Sequence, residues 1–233
     1  MRMSQRFIGL AFALLSLPIT MGGSGNCGLV LDYTETFLVT DPVDTIVLIV
    51  TDGNLDATAY DRQAILLKRH TFGFQKQLGS PEYSVEDGVL RFEAICKSEH
   101  QCTHDHMFEL PLGIGFDITM ADAYIDLGYI DSDIKAKFDT GRFKGIRLTS
   151  PQVTIEAGTA EIDIDLAAVP EAVTVDLGEG NVILQVPAGS YRCIFAAESG
   201  SAASIGITCD DAATAVLDVS VKTGDITVTG VAP

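Results

Sequence analysis

The chain has no tryptophan, and aromatic residues make up 7% of it. That disfavours a thick core built on large rings. Basic residues are also scarce: 15 Lys and Arg stand against 32 Asp and Glu, a formal charge of −17. Nucleic acid is a poor partner for such a field, which suits a solvated surface, cations or a basic partner. Long apolar runs are missing after the first 26 residues, so no later segment reaches the ~20 residues that a membrane-spanning helix needs. An apolar i, i+3, i+4 pattern persists nowhere after that point, and little helix is expected. No Gly-x-Ser-x-Gly elbow and no Asp-x-Asp-x-Asp-Gly calcium loop occurs, which removes the usual sequence marks of an α/β-hydrolase nucleophile and of an EF-hand.

What is present begins with a leader. Acidic residues are absent from the first 26 positions, where "MRMSQR" precedes the apolar "FIGLAFALLSLPIT" and the small-residue stretch "MGGSGNC". This layout predicts a secretory signal peptide over 1–26 and a mature domain over 27–233. Cys27 then stands where a lipoprotein cysteine would be acylated, giving a membrane partner through a lipid anchor. Gly25 conforms to a lipobox; Ser24 and Asn26 do not. Plain secretion is the alternative.

Cysteine parity points the same way. Five cysteines are odd for an exported chain, and modification of Cys27 leaves four. The economical pairing joins Cys96 to Cys102 and Cys193 to Cys209, one of three possible connectivities.

Glycine followed by alternation recurs eight times, at Gly53, Gly88, Gly128, Gly141, Gly158, Gly180, Gly200 and Gly224. In "EIDIDL", Ile162, Ile164 and Leu166 face one way, and Glu161, Asp163 and Asp165 the other. Val182, Leu184 and Val186 repeat the pattern, as do Leu217, Val219 and Val221, then Ile226 and Val228. Short strands with one wet face, separated by glycine turns, predict an all-β domain. Small inward residues (Ala57, Ala136, Ala160, Ala203) favour a single right-handed β-solenoid over the alternative, a β-sandwich of hairpins. The more aromatic stretch from Tyr33 to Phe92 would cap the stack.

Three stretches, "FELPLGIGFDITMADAYIDLGYIDSDIKAKFDTGRFKGIRL", "VTVDLGEGNVILQVPAGSYRCIFAAESGS" and "LDVSVKTGDITVTG", resemble the putative-adhesin family of β-strand-repeat envelope proteins, a domain of unknown function. The resemblance runs over about residues 30 to 230. It includes a Pro-x-Gly-x-Tyr step at Pro187, Gly189 and Tyr191. It implies an extracytoplasmic repeat protein, often lipid-anchored, with no established reaction. The repeat turns would be Gly128, Gly141, Gly158, Gly180, Gly200 and Gly224, of which Gly224-Asp225 alone keeps the family's Gly-Asp. A catalytic or metal role for that aspartate would not survive such drift among its sibling turns.

Two constellations carry possible chemistry. "CKSEHQCTHDHMFELP" places Cys96, His100, Cys102, His104 and His106 together, residue types that hold zinc or copper. A disulfide would remove both sulfurs and leave a weak surface imidazole site at His104 and His106, on a loop leading into a strand from Met107 to Leu110. Acidic runs near Asp126 to Asp133 and at Asp210 and Asp211 could imitate the carboxylates of a polysaccharide-cleaving β-helix, although strand alternation explains most of them. Lys135, Lys137, Arg142, Lys144 and Arg147 form the one basic stretch, either a patch for anionic ligands or a face that balances neighbouring acids.

The reading is therefore a non-enzymatic, cofactor-free, exported cell-envelope protein, adhesin-like or scaffolding. It would be lipid-anchored at the periplasmic or outer surface, or else secreted, with other envelope proteins or polysaccharide as partners. Metal binding through the segment from His100 to His106, and a polysaccharide-active β-helix, are the alternatives.

Overall fold

The computed structural model describes residues 30–74, 82–97 and 102–232, so the leader, Cys27 and His100 lie outside the described residues. Among the described residues there is no helix. In chain order the strands are β1 (Val30–Val39), β2 (Thr45–Tyr60), β3 (Ile65–Phe74), β4 (Glu82–Glu86), β5 (Val89–Ala94), β6 (Cys102–Pro111), β7 (Gly115–Gly128) and β8 (Ile134–Leu148). They continue as β9 (Gln152–Leu166), β10 (Ala172–Pro187), β11 (Ser190–Ser199), β12 (Ala202–Ile205), β13 (Thr208–Cys209), β14 (Val216–Thr223) and β15 (Ile226–Val231). All fifteen belong to one open sheet.

β7 to β10 pair in parallel, each with the next. Phe116 lies opposite Ile134, Ile134 opposite Val153, and Val153 opposite Val173, so one rung takes 18 to 20 residues. The rungs align side chains of one kind. Ile46, Phe116, Ile134, Val153, Val173 and Leu217 form one buried row. Leu55, Ile125, Phe143, Ile162, Val182 and Ile226 form a second. Each such side chain contributes about 2 kcal/mol relative to leaving it in water. Alternation supplies the rows because period-2 side chains on aligned strands always stack on their own kind.

Gly53, Gly141, Gly158 and Gly180, read as turns, lie inside strands and leave those strands long, whereas Gly88, Gly200 and Gly224 sit between strands as expected. Gly53, Ala123, Gly141, Ala160 and Gly180 are mutually opposite, a column between the two apolar rows. Here the backbone bends without leaving the ladder. Gly141 and Gly180 adopt φ of +132° and +129°, and a Cβ on either would overlap the carbonyl oxygen of Ala123 or Ala160 on the adjacent rung. Gly224 and Gly200 extend the same close approach. Of the other repeat glycines, Gly128 ends β7 and Gly158 sits two residues before the column. A spacing count on glycine alone slips by two there, because Ala160 fills the bend.

The two ends differ. At one, β5 and β6 lie beside β2, and beyond them the pairing turns antiparallel: β4 on β5, β3 on β6, β1 on β3. Phe37, Tyr83, Phe92 and Phe108 pack there with ring centroids 5.4 to 6.3 Å apart, the aromatic cap expected of this region. At the other end, β14 and β15 insert between β10 and the pair β11 and β12, which are last in the ladder. Ala57, Ala136 and Ala160 are buried as expected, but Ala203 is exposed because it lies on that last rung.

Candidate functional site

The bend column floors a shallow groove of about 580 Å³ lined by Tyr124, Thr140, Thr159, Glu161 and Glu179 along Ala123, Gly141, Ala160 and Gly180. Small floor residues bring backbone to the surface, and the next position on each rung projects beside it. Register aligns Asn54, Tyr124, Arg142, Glu161 and Asn181 in that row, an arrangement fit for many shallow polar contacts around one exposed ring. Glycine-centred matching did not single out Tyr124 or Asn181. Matching at 18 to 20 residues is the signal that finds them.

Asp225 closes this row as a connector. Its carboxylate accepts from the Ser201 hydroxyl at 2.7 Å and the Ser201 backbone N–H at 2.8 Å, while its own N–H donates to Asn181 Oδ1 at 3.1 Å. Asn181 Nδ2 donates in turn to Glu161 Oε1 at 3.3 Å. The Ser201 hydroxyl first, then its N–H, hold the Asp225 carboxyl below the usual carboxylate range. The aspartate bonds neighbouring rungs rather than its own turn.

His104 and His106 alternate onto one face of β6, as the spacing required, but that face is the core: both are buried. The expected exposed loop is corrected, because β6 starts at Cys102 and His106 takes the place opposite Leu55 in an apolar row. Burial first, then the nearby Arg69 guanidinium, lower His104 to about 4 and His106 to about 3, so both rings are neutral at ordinary pH. His106 Nδ1–H donates to the His104 carbonyl at 3.1 Å, and its ring stacks on Phe108. His104 Nδ1 meets Thr71 Oγ1 at 3.2 Å. Arg69 itself is buried, paired with Glu35 and placed 5.4 Å over the Phe37 ring.

Beside His104, Cys96 and Cys102 are at disulfide distance, with Cα atoms 5.8 Å apart; Cys193 and Cys209 are likewise joined at 5.4 Å. Cys96, Cys102 and His104 form a three-ligand cluster, with Cys102 Sγ 3.6 Å from His104 Nε2. A tetrahedral zinc with usual Zn–S and Zn–N lengths needs an S···N edge of about 3.6 Å. The bridge, however, occupies both sulfurs.

Three of the five cations in the basic stretch pair with acids on adjacent rungs. Lys137 meets Glu156 at 2.5 Å, Arg142 meets Asp126 at 2.9 Å and Lys135 meets Asp117 at 4.0 Å, so this stretch balances acids on adjacent rungs. Among the acids weighed for catalysis, Asp131 accepts from the Gly113 N–H at 2.7 Å and Asp210 from the Ala212 N–H at 2.9 Å, both turn-fixing contacts.

No family model and no curated protein matches the chain. Solved structures do. A putative cell adhesion protein from Clostridium sporogenes is 14% identical, with 86% of this chain and 100% of that one covered at a TM-score of 0.49. A putative adhesin from Bacteroides fragilis is 11% identical, covering 85% and 97% at 0.40. A putative lipid binding protein from Parabacteroides distasonis is 10% identical, covering 89% and 98% at 0.31.

Proposed function

We propose that the chain is a non-enzymatic, exported cell-envelope protein, an adhesin-like scaffold built as a right-handed β-solenoid and tethered by lipidated Cys27. The observation that carries this reading is the ladder itself. Register repeats every 18 to 20 residues, and both halves of each long strand bury one face. That favours a stacked coil over a sandwich of hairpins. The outward rows are bonded rung to rung and flank a shallow groove, an arrangement suited to repeated weak contacts. Two bridged cysteine pairs suit an oxidising compartment.

Envelope polysaccharide is the partner class that the groove favours, since Tyr124 offers a ring face beside Glu161 and Glu179. Retention of the purified chain on immobilised envelope polysaccharide tests this, with Tyr124→Ala/Glu161→Gln expected to lose it. Equal retention of wild type and variant removes the groove from the reading. Mass spectrometry of the native N-terminus tests the anchor, which an unmodified Cys27 would overturn.

Metal binding stays as a second reading on one observation, the 3.6 Å edge between Cys102 Sγ and His104 Nε2. It requires the reduced bridge. Zinc titrated into the oxidised chain should give no heat, and into the reduced chain heat that His104→Gln removes.

A further inference from the structure

The outer face of the antiparallel cap breaks the pattern that the middle of the ladder keeps. On β8 the outward positions hold Lys135, Lys137 and Arg142, and on β9 Thr154, Glu156 and Glu161. At the start of β1 and the end of β3 they hold Val30, Phe72 and Phe74, which are 44%, 47% and 43% exposed. Register sets Val30 directly opposite Phe74 and Asp32 opposite Phe72, and residues two apart on β3 share a face. The three side chains are therefore one apolar corner, in a chain that has few aromatic residues to spend on its surface.

Charge beside the corner is neutralised. Asp32 and Asp105 flank the His70 ring at 2.8 and 3.4 Å, and Glu109 meets Arg62 at 2.6 Å, so each outward acid of β1, β3 and β6 has a partner. Lys68 is exposed among them. On a chain with a formal charge of −17, this is a face that an anionic lipid surface does not repel.

The position of Cys27 says what covers the corner. It precedes Val30 by three residues, a length of chain that spans at most about 11 Å. An acylated Cys27 therefore holds Val30, and Phe74 opposite it, within that distance of the lipid headgroups. So short a tether leaves little room for a soluble partner between the corner and the bilayer. We infer that the corner of Val30, Phe72 and Phe74 is a bilayer-contact surface, whose two phenylalanine rings enter the membrane interface beside the acyl chains of Cys27 and fix the attitude of the ladder on the membrane. Apolar side chains that enter the interface add a second attachment to a lipid anchor. The inference rests on the lipid-anchor reading and is independent of the bend groove.

Because the chain has no tryptophan, one introduced indole reports without background. The full chain is expressed with its leader, its N-terminus is checked by mass spectrometry, and it is reconstituted into vesicles of phosphatidylethanolamine and phosphatidylglycerol with and without brominated acyl chains. Phe74→Trp should lose about half of its emission or more to the bromine, which quenches only on contact with the acyl region. Ile205→Trp is the control: it is 68% exposed on β12, eight strands along the ladder from β3 and so about 38 Å away, and should lose almost none. Adding Phe72→Asp to the Phe74→Trp chain should abolish the quenching. All three positions are exposed, so the variants keep the fold, which circular dichroism checks. An acylated Cys27 with unquenched Phe74→Trp overturns the contact surface and leaves the anchor standing; an unmodified Cys27 overturns both. Equal quenching at the two positions, or quenching indifferent to Phe72→Asp, also overturns the surface.

Discussion

Replacing His106 with phenylalanine should remove about 2 kcal/mol from the loss of stability that the protein suffers between pH 8 and pH 5. His104 and His106 are neutral in the folded state because burial, and after it the Arg69 guanidinium, hold them at about 4 and about 3, against 6.5 for a free imidazole. A depressed histidine favours folding fully above its unfolded pKa and loses that contribution as pH falls toward the folded value. At pH 8 neither state binds a proton here. At pH 5 the unfolded chain protonates both rings while the folded chain keeps both neutral. The gap of 1.5 pH units below 6.5 amounts to about 2 kcal/mol per ring, or about 4 kcal/mol in all. Against a typical total of roughly 5–15 kcal/mol that is a large fraction. Phenylalanine suits the place, since the ring stacks on Phe108 and meets Phe92 edge-on at 5.9 Å. Its Nε2 has no hydrogen-bond partner among the described residues, and loss of the Nδ1–H bond to the His104 carbonyl lowers the variant's baseline at both pH values alike. His70 acts with the opposite sign: its hydrogen bond to Asp32 raises its pKa, with burial opposing. It is present in both proteins and cancels in the comparison. Urea unfolding at pH 8 and pH 5 gives four stabilities. The wild-type fall should exceed that of His106→Phe by about 2 kcal/mol, and equal falls would refute the burial argument whatever the baseline stability of the variant.

The bend column makes a sharper local claim. Gly141→Ala should cost about 3 kcal/mol in urea unfolding, because its φ of +132° and the Ala123 carbonyl leave no room for a Cβ. Gly113→Ala, at φ +84° but with open space around it, should cost only about 1 kcal/mol. Removing the Cys193–Cys209 bridge, which closes a 16-residue separation, should destabilise by about 3 kcal/mol, and removing Cys96–Cys102 by about 2 kcal/mol; a larger loss from the shorter loop contradicts the loop-entropy account. Asp225→Ala should speed hydrogen exchange at the Ser201 amide, its direct donor, while leaving exchange on β7 and β8 unchanged.

Strand content was legible because alternation at "EIDIDL" is a local signal that the rung register only repeats. The location of the bends was half legible. A bend needs a residue small enough to let adjacent backbones touch, and alanine meets that need at Ala123 and Ala160 as glycine does at Gly141 and Gly180, so glycine alone misleads. Burial of His104 and His106 was not legible at all. Their alternation is the same whether the face is wet or dry. What decides is that β3 folds back antiparallel on β6 and brings Arg69 against it, a contact between residues 35 apart or more that no periodicity carries.

The same limit explains Asp225. Its neighbours in sequence describe a tight turn, for which glycine and aspartate are ordinary choices. Its partners, Ser201 and Asn181, lie 24 and 44 residues away, because the chain lays its final rung between two earlier ones. The aspartate therefore joins rungs that are not consecutive, and at that place a connector is needed most: backbone continuity does not tie β14 and β15 directly to the strands they part. The Gly-Asp pair that looks like the most regular repeat in the sequence sits where the order of the ladder departs from the order of the chain.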